Sequence, residues 1–147
     1  MGFGDAVKAC LRKYATFSGR ASRPEYWWFV LFLFLSTLVA VVIDSVIFGT
    51  SPDAAAPLST VIGLATLIPA LAVAFRRLHD IGRPGWYIFI PSITGLLFVA
   101  ALFGSGFTIG VTAILLFACL QVGLSLLLLW WLTRPSDAAA NRYGTPA

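Results

Sequence analysis

Long apolar runs alternate with short polar stretches along this chain. Four of the runs, about 26–48, 57–75, 86–103 and 107–132, each approach the roughly 20 residues that carry a helix across a hydrocarbon core. Only helices and closed barrels satisfy their backbone in lipid. Barrel strands are alternating segments of about 10 residues, and these runs are longer and continuous. The pattern therefore predicts an all-α, polytopic membrane protein with four transmembrane helices. A different pattern precedes them. Phe3, Val7, Cys10, Leu11, Tyr14 and Phe17 recur at helical spacing, with Asp5, Lys8 and Arg12 on the other side. This predicts an amphipathic helix over 3–17, too charged to span, lying flat on the membrane surface or packed on the bundle.

The polar stretches punctuate these elements. Ser18 and Gly19 end the first helix. Ser22, Pro24 and Glu25 read as a helix start, with Ser22 as cap and Glu25 completing a capping box. Residues 49–56 form a short loop, and Pro57 opens the second span. That helix is expected to continue past the membrane through Ile81, stopped by Gly82 and turned by Arg83, Pro84 and Gly85. Gly104, Ser105 and Gly106 make a tight loop, and Pro135 ends the fourth span before a tail over 133–147. No repeat or linker divides the chain, so 1–147 is read as one domain. The first apolar run, 27–48, exceeds the roughly 7–15 residues of a signal-peptide core. It is read as a retained anchor, although Ala54, Ala55 and Ala56 resemble a cleavage site.

Charge adds an orientation. Hydrophobic residues make up 59% of the chain and charged ones 11%, and the formal net charge is +4. Basic character on a soluble chain would raise nucleic acid as a partner; placement here excludes it. Lys8, Arg12, Lys13, Arg20 and Arg23 precede the first span, Arg76, Arg77 and Arg83 separate the second and third, and Arg134 and Arg142 follow the fourth. The other two loops carry none. The positive-inside rule then puts both termini in the cytoplasm. All five tryptophans, Trp27, Trp28, Trp86, Trp130 and Trp131, fall at that same interface. Cys10 and Cys119 lie at different depths and are not expected to pair. One histidine, His79, leaves no recognisable metal-ligand set, and no cofactor is implied.

Three polar clusters share the basic side. The first holds Phe17, Ser18, Gly19, Arg20, Ser22, Arg23, Glu25, Tyr26, Trp27 and Trp28. The second holds Arg76, Arg77, Leu78, His79, Asp80, Gly82, Arg83, Gly85 and Trp86. The third is Asn141, Arg142, Tyr143 and Gly144. Read as F-S-G-R-x-S-R-x-E-Y-W-W, R-R-L-H-D-x-G-x-x-G-W and N-R-Y-G, the three together resemble the bacterial domain-of-unknown-function family 805, over nearly the whole chain. Arg83-Pro84 stands where that family often has a small polar residue. The resemblance implies a small bacterial inner-membrane protein and carries no established reaction.

Each cluster supports two readings. Arg76 or Arg77 can pair with Asp80 at helical spacing. With Arg83 they form either an anion or lipid-headgroup site or a structural ion network. Glu25 either caps its own helix or pairs with an arginine of the second cluster. Asn141, Arg142 and Tyr143 are expected to fold back on the same surface. The His79-Asp80 pair resembles that of metal phosphohydrolases, but the other ligands are missing. Asp44 is an acid within a span, either a functional carboxylate or a residue that water reaches near the outer interface. Pro69 and Pro91 interrupt the second and third helices at comparable depth; either their kinks open a cavity, or they are the prolines that membrane helices ordinarily tolerate.

Three functional classes follow. The first is a non-enzymatic membrane protein that binds anionic lipid, or a membrane-protein partner or second copy, through Arg20, Arg23, Glu25, Arg76, Arg77, His79, Asp80, Arg83, Asn141, Arg142 and Tyr143. The second is a small oligomeric transporter or channel using Asp44 and the proline kinks. The third is an enzyme on a phosphorylated lipid using His79 and Asp80. The first needs least that the chain lacks, and it is the reading adopted.

Overall fold

The computed structural model describes residues 1–51, 53–105 and 110–146. Among them the regular elements are helical: α1 (Phe3–Arg12), α2 (Arg23–Phe48), α3 (Pro57–Asp80), a 3-10 turn (Gly85–Phe89), α4 (Ile90–Gly104) and α5 (Val111–Thr133). Four helical segments, Arg23–Phe48, Pro57–Asp80, Gly85–Gly104 and Val111–Thr133, are long and apolar enough to cross a membrane. The expected start of the fourth span at Phe107 lies outside the described residues.

Helix α1 is shorter than the expected 3–17. It ends at Arg12 in a turn that bends the chain back toward α3. Its apolar stripe does not float free: Ala6 and Cys10 are fully buried, and Cys10 packs with Ala21, Phe29 and Val73. Phe3 meets Trp28 edge-on at 6.0 Å, and Phe17, beyond the turn, meets Phe75 at 5.2 Å.

The two prolines act differently from one another. Pro69 lies inside α3 and is buried. Lacking an N–H, it leaves the carbonyl of Ala65, four residues back, without its helical donor. The Tyr14 hydroxyl donates to that carbonyl. A side chain beside α1 thus completes the hydrogen bonding of a spanning helix. Pro91 stands in the first turn of α4, where a missing N–H breaks nothing. Of the two sequence readings, paired mid-helix kinks do not arise, because only Pro69 lies within a helix interior.

At the end away from the basic residues, the Asp44 carboxylate accepts from the backbone N–H groups of Leu58 (3.1 Å) and Ser59 (2.8 Å). It caps the start of α3 and joins the two helices across their loop, where the helix dipole favours a negative charge. α4 and α5 are clasped by Gln121, whose Nε2 donates to the Pro91 carbonyl at 3.0 Å and whose Oε1 accepts from Thr94 at 2.8 Å. Phe98 and Phe117 stack at 3.9 Å in the same hairpin.

The hairpins α2–α3 and α4–α5 are held together at the basic end. Gly85 makes this possible, because a Cβ there would fall 2.2 Å from the Phe75 ring. Gly85→Ala is expected to destabilise the protein by about 1–3 kcal/mol through overpacking. Phe75→Leu in the same chain should recover part of the loss. Thermal unfolding in detergent reads both, and an unchanged midpoint for Gly85→Ala would show that the two hairpins are not in contact at this point.

Candidate functional site

The last turn of α3 is the hub of the basic end. Helices terminate with four carbonyls lacking intrahelical donors, and here each of the named ones is taken. Gly82 adopts a left-handed φ of 69°. Its N–H donates to the His79 carbonyl at 3.1 Å, and that of Arg83 to the Leu78 carbonyl at 2.9 Å, the two bonds of a Schellman stop. The Ala21 N–H donates to the Arg76 carbonyl (3.0 Å), and the Asp137 N–H to the Asp80 carbonyl (3.1 Å). The linker before α2 and the C-terminal tail are thus both sewn onto the end of α3.

Side chains reinforce the seam. Asp80 is fully buried, and both its oxygens are engaged: Oδ1 by Arg20 Nε at 2.8 Å and Oδ2 by Arg77 Nη1 at 2.6 Å. Arg20 goes on to donate to the carbonyls of Ala139 (2.8 Å), Asp137 (2.5 Å), Gly144 (3.4 Å) and Asp80 itself (3.2 Å). Arg77 donates to the Leu132 carbonyl at 3.1 Å and to that of Arg134, which fixes the end of α5. Of the two possible helical partners of Asp80, the i,i+3 residue Arg77 makes the bond. Arg76 turns instead to Glu25.

Glu25 is therefore not the second half of a capping box. Ser22 occupies the cap position of α2 but makes no side-chain cap bond. The buried carboxylate is directed at Arg76, because a guanidinium that is 1% exposed needs a counter-charge more than an interfacial helix end needs a cap. Two other nitrogens of Arg76, Nε and Nη2, are buried and meet no acceptor of hydrogen-bond geometry among the described residues. The Cys10 thiol lies 3.9 Å from Glu25 Oε1. Burial first, and then the Glu25 charge, push its pKa up to about 11, against a smaller downward pull from Arg76 and Lys13. It is a thiol in the neutral range, and an inert one.

The tail closes the site. The His79 ring stacks on Tyr143 at 3.8 Å and 4°, with Nδ1 3.2 Å from the Gly19 carbonyl. Asn141 donates to the His79 carbonyl at 3.0 Å and accepts from the Tyr143 N–H at 2.9 Å. A tight turn pairs Asn141 with Gly144, whose φ is 129°.

The expected cluster divides in two. Arg20, Glu25, Arg76, Arg77, His79, Asp80, Asn141 and Tyr143 come together in one network. Arg23 and Arg83 do not join it, and Arg142 meets only its edge: all three are exposed, Arg83 lying over the Trp131 ring at 5.0 Å and Arg142 over Tyr143 at 4.7 Å. Several members were not foreseen from sequence: the carbonyls of Leu132, Arg134, Asp137 and Ala139, and the buried Cys10. Carbonyls carry no residue-type signal. Cys10 had one, its place on the apolar stripe of α1. Among the described residues no group of three His, Cys, Asp or Glu side chains could hold a metal.

Fold and site together define a small polytopic α-helical membrane protein, with its polar side chains gathered into a buried plate at one end. The chain belongs to the family described as Protein of unknown function (DUF805), whose profile matches residues 14–145. It is 36% identical over 92 residues to the inner membrane protein YhaH of Escherichia coli (strain K12), covering 60% of this chain and 76% of that one. It is 41% identical over 92 residues to the inner membrane protein YhaI of the same strain, covering 59% and 73%. No solved structure matches it. The profile takes in every member of the plate except Cys10, and leaves out α1.

Asp80→Asn removes one charge from between two buried guanidiniums. It is expected to destabilise by about 3–5 kcal/mol, the usual loss on breaking a buried pair. Arg83→Gln, at an exposed position, should change stability by less than about 1 kcal/mol. Denaturation of the two variants side by side in detergent measures the difference, and equal stabilities would mean Asp80 is in reach of water.

Proposed function

We propose that this chain is a non-enzymatic inner-membrane protein, both termini cytoplasmic, that holds anionic lipid headgroups with the exposed part of its basic face. One observation carries the reading: the basic side chains fall into two sets. Arg20, Arg76 and Arg77 are buried and committed to Asp80, Glu25 and backbone carbonyls. Lys8, Arg12, Lys13, Arg23, Arg83, Arg134 and Arg142 are exposed at the same end, where Asp5 and Asp137 are the only exposed acidic side chains among the described residues. Arg83 and Arg134 each lie over a tryptophan, Trp131 at 5.0 Å and Trp130 at 4.9 Å. Cations beside interfacial indoles stand at the depth where lipid phosphates lie.

The same geometry weakens the rivals. An enzyme built on His79 and Asp80 needs a carboxylate free to take a proton or a metal, and both Asp80 oxygens are held by arginines. A transporter built on Asp44 needs that acid to face a pathway, and it accepts from the start of α3.

The orientation is tested by topology reporters. Those placed after the C-terminus and within 82–85 should read cytoplasmic, and those within 49–56 periplasmic; a periplasmic C-terminus ends the proposal. Lipid contact is tested with spin-labelled lipids in reconstituted bilayers. Phosphatidylglycerol should be immobilised in preference to phosphatidylcholine at about 0.01 M salt. Most of that preference should vanish near about 1 M, as the screening length falls from about 30 Å to about 3 Å. Equal immobilisation of the two lipids at low salt would refute the reading.

A further inference from the structure

Helices α2 and α5 share little contact among the described residues. At the basic end a cavity of about 430 Å3 lies between them, lined by Arg23, Pro24, Trp27 and Trp28 from the start of α2 and by Thr133 from the end of α5. We infer that this cavity is a discrete site for one anionic glycerophospholipid, its phosphodiester held by Arg23 and its glycerol region lying against Trp27 and Trp28. The inference rests on the proposed function and narrows it from a charged face to one pocket.

Chemistry selects the ligand. Arg23 follows Arg20 by three residues, yet its fate is the opposite. Arg20 is sealed into the plate, while Arg23 remains exposed at the mouth of the cavity. No carboxylate lines the pocket. Glu25, the acid nearest in sequence, is buried and turned to Arg76. The pocket is therefore positive without a counter-ion of its own. A guanidinium presents a planar fork that matches two phosphate oxygens. Two indoles provide apolar walls with N–H donors, the composition suited to the boundary between headgroup and acyl chain.

Position also favours a lipid over a soluble anion. The wall residues continue directly into the spanning parts of α2 and α5, so an occupant with acyl chains extends along apolar helix surface. A lipid seated there would bridge the first and last spanning helices, which share little contact of their own.

Native mass spectrometry of the full chain, exchanged from bilayers of phosphatidylglycerol and phosphatidylcholine, tests the site. Wild type should retain one phosphatidylglycerol. Arg23→Gln should weaken that retention about tenfold or more, as expected for loss of a charge-assisted hydrogen bond. Arg23→Lys, which keeps the charge but not the fork, should fall between. Arg83→Gln removes an equal charge from the same basic face outside the cavity and should weaken retention no more than about threefold, clearly less than Arg23→Gln. Trp27→Leu gives an independent check should Arg23→Gln fold poorly, and it should also weaken retention. Equal losses for Arg23→Gln and Arg83→Gln, or no loss for either, would overturn the site. If the spin-label preference persists in that case, the broader reading stands without the pocket. If wild type shows no preference for phosphatidylglycerol by either method, the broader reading fails first.

Discussion

Everything at the basic end depends on the difficulty of taking a guanidinium out of water. A buried ion carries a desolvation penalty of several kcal/mol, recovered only with good geometry and full hydrogen bonding. This chain buries three such groups within a single layer. The end of α3 is suited to hold them: its last carbonyls are the negative pole of a long helix, and Asp80 adds a carboxylate in the final turn. Arg20 and Arg77 share that carboxylate and spread their remaining donors over carbonyls of the tail and of α5. Arg20 and Arg77 are thus cations solvated largely by the backbone, while Arg76 rests on Glu25.

This division of labour gives the arginines distinct roles although they share motifs. Those facing inward tie the linker, α3, α5 and the tail into one body. Those facing outward keep their charge for whatever lies at the interface. Adjacent positions can fall on opposite sides of the division. Arg76 meets a carboxylate on α2 and Arg77 one on its own helix, while Arg20 and Arg23 part because one precedes α2 and the other begins it. The opposite end of the α2–α3 hairpin needs a single device, Asp44, because a helix start offers N–H groups that one carboxylate can satisfy.

The spans were legible because apolar length alone decides them. α2 and α3 begin or end within a few residues of the expected limits, and the extension of α3 to Asp80 was readable from Gly82. The plate was legible as a neighbourhood, not as a wiring diagram. That Asp80 bonds Arg77 rather than Arg76 depends on which way each side chain leaves the helix. Arg20 reaches Asp80 because of a turn at 13–15 that ends α1 early, and the pattern of apolar residues runs on through Phe17 without marking it. Glu25 fits a capping box on local rules, and a buried arginine far along the chain outcompetes the local option. The carbonyl partners were invisible because every residue type carries the same one.

The partners of Arg20 also impose an order of assembly. Asp80 lies 60 residues further along the chain, and the carbonyls of Asp137, Ala139 and Gly144 lie 117, 119 and 124 residues away. Synthesis from the N-terminus delivers Arg20 and Asp80 before residues 137–144. The guanidinium therefore gains its full set of acceptors only once that segment has docked on the end of α3. Closure of the linker before α2 thus waits on the tail, and the contact reports that all four spans have been made.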